Sequence, residues 1–390
     1  MPGCWADNAI RYRGVKSELT TCMTVNKYYL LPANIYGRPD FPMEWRELDW
    51  LADLPRDTYF AINPGLPSTW HKPIDLPLGH SLYVITFHQE RFDSDWISEQ
   101  VTRITDAPVI ILSDGSIYNF AVPSNVHFYT FHSWHHHMDL IMTMFPERQV
   151  RNNVKYKAST ICNRVTQSKM LTFTALIEYL ERSDILVKLS DWIEEKNVHN
   201  WQSTGNAALD ELTKIFKTRY QGTTIEIDAF SNARDNLQTV TSNPWQPVLM
   251  ESAVHFVGES YHYSLMQTDG RETIMPGPAL SEKTFKCLVA GTPFVPVAQF
   301  ECYKHLADLG LQFDYGDIDL SWDLDPGNLT RLAGLVKMIQ SLKQYSIDDI
   351  MGMTKRSSEH NTDHIWSRAF DKLCRDHNEI IANEILDKFK

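Results

Sequence analysis

The sequence predicts an α/β protein of two successive parallel-sheet domains closed by a helical tail. Three observations predict this. Short β-branched or aromatic runs alternate with helix-like stretches, the alternation stops at a charged, Asn-rich segment and restarts, and the chain ends on two long polar helices. A length of 390 residues fits two or three domains with sizeable cores.

In the first part, Tyr28–Pro32, Thr58–Ile62, Ser81–Phe87, Pro108–Leu112 and Val126–Phe131 read as buried strands, bounded by Pro, Asn, Asp or Gly. Between them, Met43–Leu54 and Asp93–Thr105 read as helices. The second offers Asp93 and Ser94 as caps and Trp96, Ile97, Val101 and Ile104 as an apolar face. Strands and helices in alternation imply a parallel sheet covered on both faces. Pro146–Lys157 reads as the link. After it come a strand at Ser159–Cys162, a helix at Lys169–Arg182, a strand at Ile185–Leu189 and an extended segment at Val248–Val257. A helix at Lys283–Ala290, a strand at Phe294–Val297 and a short helix at Tyr303–Leu309 follow, with Gly310 suited to a left-handed cap. Helices over Asn328–Lys343 and Asp363–Phe389 complete the chain. The expected division is therefore 1–155, 156–345 and 346–390, the last segment packing back on the first domain.

Composition narrows the function. Lys and Arg total 37 against 49 Asp and Glu, a formal charge of −12, which disfavours a generally basic nucleic-acid-binding module. With 43% hydrophobic and 22% charged residues the chain has no signature of disorder, and no apolar run approaches the ~20 residues of a membrane span. The N-terminal residues lack the apolar core of a signal peptide. The six cysteines form no C-x-x-C pair and read as reduced, packed thiols, none with an activating motif. A cytoplasmic location is expected.

The informative block is Pro247–Phe313. An apolar strand delivers Glu259 at its carboxyl end, where open α/β sheets bind ligands. A loop containing Gly270, Gly277 and Pro278 follows. Ser281 then caps a helix whose first turn holds Glu282 and Lys283. The first-turn amides and the Lys283 charge favour an anion, and phosphate is the natural guest. On the residues alone Glu259 has a second reading, as a cap of the following helix.

Ser281-Glu282-Lys283-Thr284-Phe285-Lys286, a short helix, Gly291-Thr292-Pro293-Phe294 and a strand resemble the donor-binding half of GT-B glycosyltransferases. The likeness is to the α1,3-fucosyltransferase type and its relatives in bacteriophages and marine bacteria. Tyr303–Phe313 is similar to the run that continues the block in those relatives. Thr160-Ile161-Cys162-Asn163-Arg164 falls where they carry Asn-Arg after the first donor-domain strand. The resemblance covers Ser159–Phe313. It implies two Rossmann-like domains with sheets facing across a cleft, and a nucleotide diphosphate sugar (UDP- or GDP-sugar) as donor. Asn163, Arg164, Glu259, Ser281, Glu282 and Lys283 would bind it, Arg164 and Lys283 at the diphosphate, Glu282 toward the ribose and Glu259 near the sugar or nucleotide. No cofactor and no metal are implied, and the resemblance extended to mechanism gives inversion by direct displacement in a bacterial or phage-infected cell. For Arg164 a plain salt bridge is the competing reading.

A general base must then deprotonate the acceptor hydroxyl. Asp114, His132 and His88 each follow a first-domain strand, Asp114 being the first choice although Asp114-Gly115 also reads as a turn. The cluster His132, His135, His136 and His137 leaves metal binding, acceptor chemistry and packing open; it lacks the H-E-x-x-H pattern. Asp317-Ile318-Asp319 and Asp323-Leu324-Asp325 follow the donor motif in a loop, a weak match to a metal site. First-domain tryptophans (Trp45, Trp50, Trp70, Trp96, Trp134) are either core or a stacking platform. The acceptor is a glycan or a hydroxymethylated base in DNA, the latter drawing on Arg148, Arg151, Lys155 and Lys157. A non-catalytic scaffold retaining the donor site is the alternative from another class.

Overall fold

The structure is a computed structural model that describes residues 50–51, 53–62, 76–87, 92–104, 107–113, 123–132, 134–162, 166–189, 203–220, 225–226, 243–259, 265–268, 271–274, 277–278 and 280–390. The chain divides into two compact units. One comprises Met1–His136, Leu265–Gly277 and Arg375–Lys390, and the other His137–Ser264 and Pro278–Cys374.

The first unit is built on a parallel sheet of β1 (Tyr59–Ile62), β2 (Tyr83–Phe87), β3 (Val109–Ser113) and β4 (Val126–Thr130), in that spatial order. Tyr59 pairs with Tyr83, Tyr83 with Val109 and Val109 with Val126. Side chains alternate between the faces of a strand. Tyr83, Ile85, Val109 and Ile111 therefore bury on one face with Val101 and Ile104 of α1 (Ser94–Ile104). Val84, Ile110 and Leu112 bury on the other face with Phe60, Tyr129 and Ile385. Burial on both faces explains why these strands are continuous apolar runs. Ile381, Ile385 and Phe389 recur every four residues along the last helix and cover that second face. A hairpin of Leu265–Thr268 and Arg271–Ile274 adds antiparallel to Phe92–Asp93.

Helix α2 (Trp134–Met144) carries the chain into the second unit. That unit is built on β5 (Tyr156–Cys162), β6 (Ile185–Leu189), β7 (Ser252–Gly258) and β8 (Phe294–Val297), in the parallel order β8-β7-β5-β6, with Ile225–Glu226 antiparallel on the β6 edge. Its helices include α3 (Gln167–Tyr179), α4 (Glu282–Ala290), α5 (Cys302–Asp308), α6 (Asn328–Ser341) and α7 (Ile347–Trp366), and α8 (Ala369–Phe389) returns to the first unit. Two parallel-strand sheets in an α/β chain are thus present. Among the described residues no helix is long and apolar enough to cross a membrane.

Two expectations need adjustment. The segment expected to be extended from Val248 starts as a helical turn, Pro247–Met250, because a proline at the first helical position loses no hydrogen bond; β7 begins at Ser252. The single helix expected over Asp363–Phe389 is two, α7 and α8, separated at Arg368 with φ 66°. Arg368 pairs with Asp139 and with Asp371 at 3.2 Å, and these contacts hold a left-handed backbone that costs a non-glycine residue about 1–2 kcal/mol. Gly310 does end α5 at φ 85°, and a Cβ there would lie 2.7 Å from the His364 ring. Tyr28–Pro32 and most of Met43–Leu54 lie outside the described residues.

Candidate functional site

In the second unit, β7 ends at Gly258 and the next residue, Glu259, is 1% exposed. Its carboxylate collects the start of α4. Oε1 accepts from the Ser281 amide at 3.2 Å and the Thr284 hydroxyl at 2.6 Å, while Oε2 accepts from the Ser281 hydroxyl at 2.6 Å. Ser281 is the N-cap, its hydroxyl accepting from the Lys283 amide at 3.4 Å and the Lys283 ammonium at 3.0 Å. Lys283 Nζ also stands 3.8 Å from Glu259 Oε2 and 4.0 Å from Glu282 Oε1. Side chains of Lys283 and Glu282 are about one-third exposed, so both reach solvent at the carboxyl end of the sheet.

A further lysine arrives from α3. Lys169 is buried, and its Cγ, Cδ and Cε each lie 3.1 Å from where a Cβ on Gly258 would sit. Glycine at 258 is what lets this stem cross the end of β7. In the sequence Lys169 is hidden beside the core residues Met170 and Leu171.

Below the site lies His255, in register with Ser159 of β5 and Phe294 of β8. The Ser159 hydroxyl donates to the Val248 carbonyl at 2.6 Å, so the 2.8 Å contact to His255 Nδ1 is a donation from the ring. Burial, reinforced by the Lys286 charge, lowers the His255 pKa to about 3. Lys286, one turn on from Lys283, is itself buried, and burial pushes its ammonium below the ordinary lysine range despite the opposing pull of Glu282.

These burials set a pH dependence. A histidine that binds its proton at about 6.5 unfolded and about 3 folded leaves the unfolded state with more protons between those values. Stability from this group is complete above about pH 6.5 and falls by ~1.4 kcal/mol per unit as pH drops through the window. Asp323 works in the opposite sense. Burial raises its carboxyl to about 6, so its contribution falls as pH rises from about 4 to 6. Denaturant melts of wild type and His255→Phe should therefore diverge below pH ~6.5, the variant gaining about 1 kcal/mol per unit on wild type. Parallel curves would contradict a buried neutral His255.

Of the residues expected to bind the donor, Glu259, Ser281, Glu282 and Lys283 are brought together. Asn163 and Arg164 lie outside the described residues, as do His88 and Asp114. His132 belongs to the first unit, beyond the end of β4. It is buried, with ring centroids of Trp134 at 4.8 Å and His377 at 4.6 Å, and its backbone exchanges two hydrogen bonds of 2.8 Å with the Asn378 side chain. Among the described residues no group of three or more metal-ligating side chains gathers. The aspartates after the donor motif are local structure: Asp319 accepts from the Ser321 amide, Asp325 from Gly327, and Asp323 from Tyr303 at the start of α5. Burial raises the thiols of Cys287 and Cys302.

The four cations considered for DNA are each engaged within the second unit. Arg148 pairs with Asp363 at 2.8 Å, Lys155 with Glu251 at 3.1 Å and Lys157 with Asp184 at 2.8 Å. Arg151 donates to the carbonyls of Gly291 and Ser252, and burial lowers its pKa to about 10.

The fold and site thus define an α/β protein whose second sheet ends in a lysine-flanked helix N-terminus. Comparison with protein families, curated proteins and solved structures finds no match to this chain.

Proposed function

We propose that the chain is a metal-independent GT-B-type glycosyltransferase that moves a sugar from a nucleotide diphosphate sugar to a hydroxyl acceptor in the cytoplasm. The observation that carries this reading is the Glu259–Ser281–Lys283–Thr284 constellation at the carboxyl end of β7. A helix N-terminus with a solvent-reaching lysine suits a diphosphate, and Lys169 crosses the same strand end. As the acceptor oxygen bonds to the anomeric carbon, the bond to the diphosphate breaks and charge accumulates on the departing phosphate. Lys283 would stabilise it. Glu282, about one-third exposed, is suited to the ribose. Glu259 is better assigned to positioning: with both oxygens accepting from α4, it fixes the turn that meets the phosphate. A general base must also take the acceptor's proton, and Asp114, His132 and His88 are the residues proposed for that role. Arg164 and Asn163 keep their proposed place beside the donor.

Between the two acceptors, a glycan is favoured over hydroxymethylated DNA, because Arg148, Arg151, Lys155 and Lys157 already hold partners. The test is release of nucleoside diphosphate from UDP- and GDP-sugars, with and without glycan or hydroxymethylcytosine DNA. Acceptor-dependent release supports the reading. Nucleotide binding without release or transfer from any donor would favour the non-catalytic scaffold instead.

A further inference from the structure

We propose that Trp245 and Trp366 form a platform for a neutral glycan, at the end of β7 opposite Glu259. The site stands apart from the donor reading above and does not depend on it.

Its basis is a pair of tryptophans that the fold leaves partly uncovered. Trp245 lies just before Pro247–Met250, the turn that leads into β7, and Trp366 is the last residue of α7. Glu259 follows the other end of β7, ~20 Å along the strand. The two indoles are nearly parallel, 16° apart, with ring centroids at 6.3 Å. Carbon surfaces in contact stand ~3.5–4 Å apart, so rings at this spacing are offset or parted, and each keeps face area that the other does not cover. Both residues are half-buried.

Each is also held in place. The Trp366 indole N–H donates to the Val289 carbonyl at 3.1 Å, which fixes the ring against the end of α4. The Trp245 backbone amide donates to the Asn243 side-chain oxygen at 2.8 Å. A fixed aromatic surface loses little rotamer freedom when a ligand binds. The Trp245 indole N–H, by contrast, makes no hydrogen bond among the described residues and is not sealed from solvent. It is a free donor at the edge of an apolar face.

The surroundings select the ligand. Asp363 stands one turn before Trp366 on α7, on nearly the same side. It pairs with Arg148 at 2.8 Å, and their side chains are 70% and 44% exposed, so carboxylate and guanidinium both keep hydrogen-bonding capacity toward solvent. A pyranose ring has a face of C–H bonds and a rim of hydroxyls. The face suits the indoles, and the rim suits the free N–H and the Asp363–Arg148 pair. Nucleobases also stack on tryptophan, but the exposed Asp363 and the chain's charge of −12 oppose a polyanion.

Calorimetric titration of the full chain with neutral hexasaccharides of glucose, mannose, galactose and N-acetylglucosamine tests this, with an oligodeoxythymidylate as the polyanionic control. The expected result is saturable binding of at least one hexasaccharide and none of the oligodeoxythymidylate. Trp245→Ala should weaken that binding ~10-fold or more, the scale of one lost stacking partner. Trp245→Phe, which keeps a ring without the N–H, should fall between. Asp363→Ala removes only an exposed ion pair, so it should fold as wild type does and bind several-fold more weakly; it decides the matter if Trp245→Ala does not fold. Wild type that binds no hexasaccharide overturns the inference, as does binding unchanged in a folded Trp245→Ala or, failing that variant, in Asp363→Ala. Preference for the oligodeoxythymidylate, or self-association that Trp245→Ala abolishes, overturns it by giving the platform another occupant.

Discussion

Replacing Glu259 with alanine is expected to cost about 3–5 kcal/mol of stability, the largest effect of any single change at the site. The carboxylate is 1% exposed and is the acceptor for the Ser281 amide, the Ser281 hydroxyl and the Thr284 hydroxyl. Alanine leaves three donors facing a small void, and each buried orphan costs about 1–3 kcal/mol, less than additively. The loss should register in denaturant unfolding as a lower midpoint at unchanged slope. Glu259→Gln keeps the shape but offers one acceptor oxygen, so it should fall between wild type and alanine. A loss below ~1 kcal/mol for Glu259→Ala would mean the start of α4 is held by something else.

Lys283→Ala is expected to do the reverse. Its ammonium is one-third exposed and 3.8 Å from Glu259, so the ion pair contributes at most about 1 kcal/mol to folding. In the proposed reaction the same charge faces the leaving diphosphate, and removing one such stabiliser lowers turnover by ~100- to 1000-fold. The variant should melt within a few degrees of wild type while transfer collapses. Equal losses of stability and transfer would show that Lys283 is structural. The contrast between the two neighbours separates the group that shapes the site from the group that meets the ligand.

Much of the fold was legible because its strands carry their own punctuation. The expected Ser81–Phe87, Pro108–Leu112 and Val126–Phe131 are observed as Tyr83–Phe87, Val109–Ser113 and Val126–Thr130, displaced by no more than two residues at either end. The start of α4 was legible for a similar reason: Ser281 before Glu282-Lys283 is a cap signal, and its hydroxyl does cap. The break at Arg368 was hidden, because ion pairs with Asp139 and Asp371 enforce it and neither Gly nor Pro marks it. The start of α7 was not among the expected elements, although Ser346 and Asp349 form a capping box there. Glu259 carried two readings in sequence, and only distances separate a group that grips a ligand from one that grips a helix. Lys169 and Lys286 were hidden differently. Each stands among apolar residues, and periodicity treats a lysine there as an interruption, not as a charge carried inward by its stem.

The central claim is that the start of α4 receives a nucleoside diphosphate. Thermal unfolding of wild type and Lys283→Ala with a panel of nucleoside diphosphates tests it most directly, since a ligand at 100 times its dissociation constant adds ~2.7 kcal/mol. The account predicts that at least one diphosphate raises the wild-type midpoint and that Lys283→Ala, equally well folded, loses that rise. A wild-type midpoint unmoved by every nucleotide, or a rise that survives in Lys283→Ala, would contradict it.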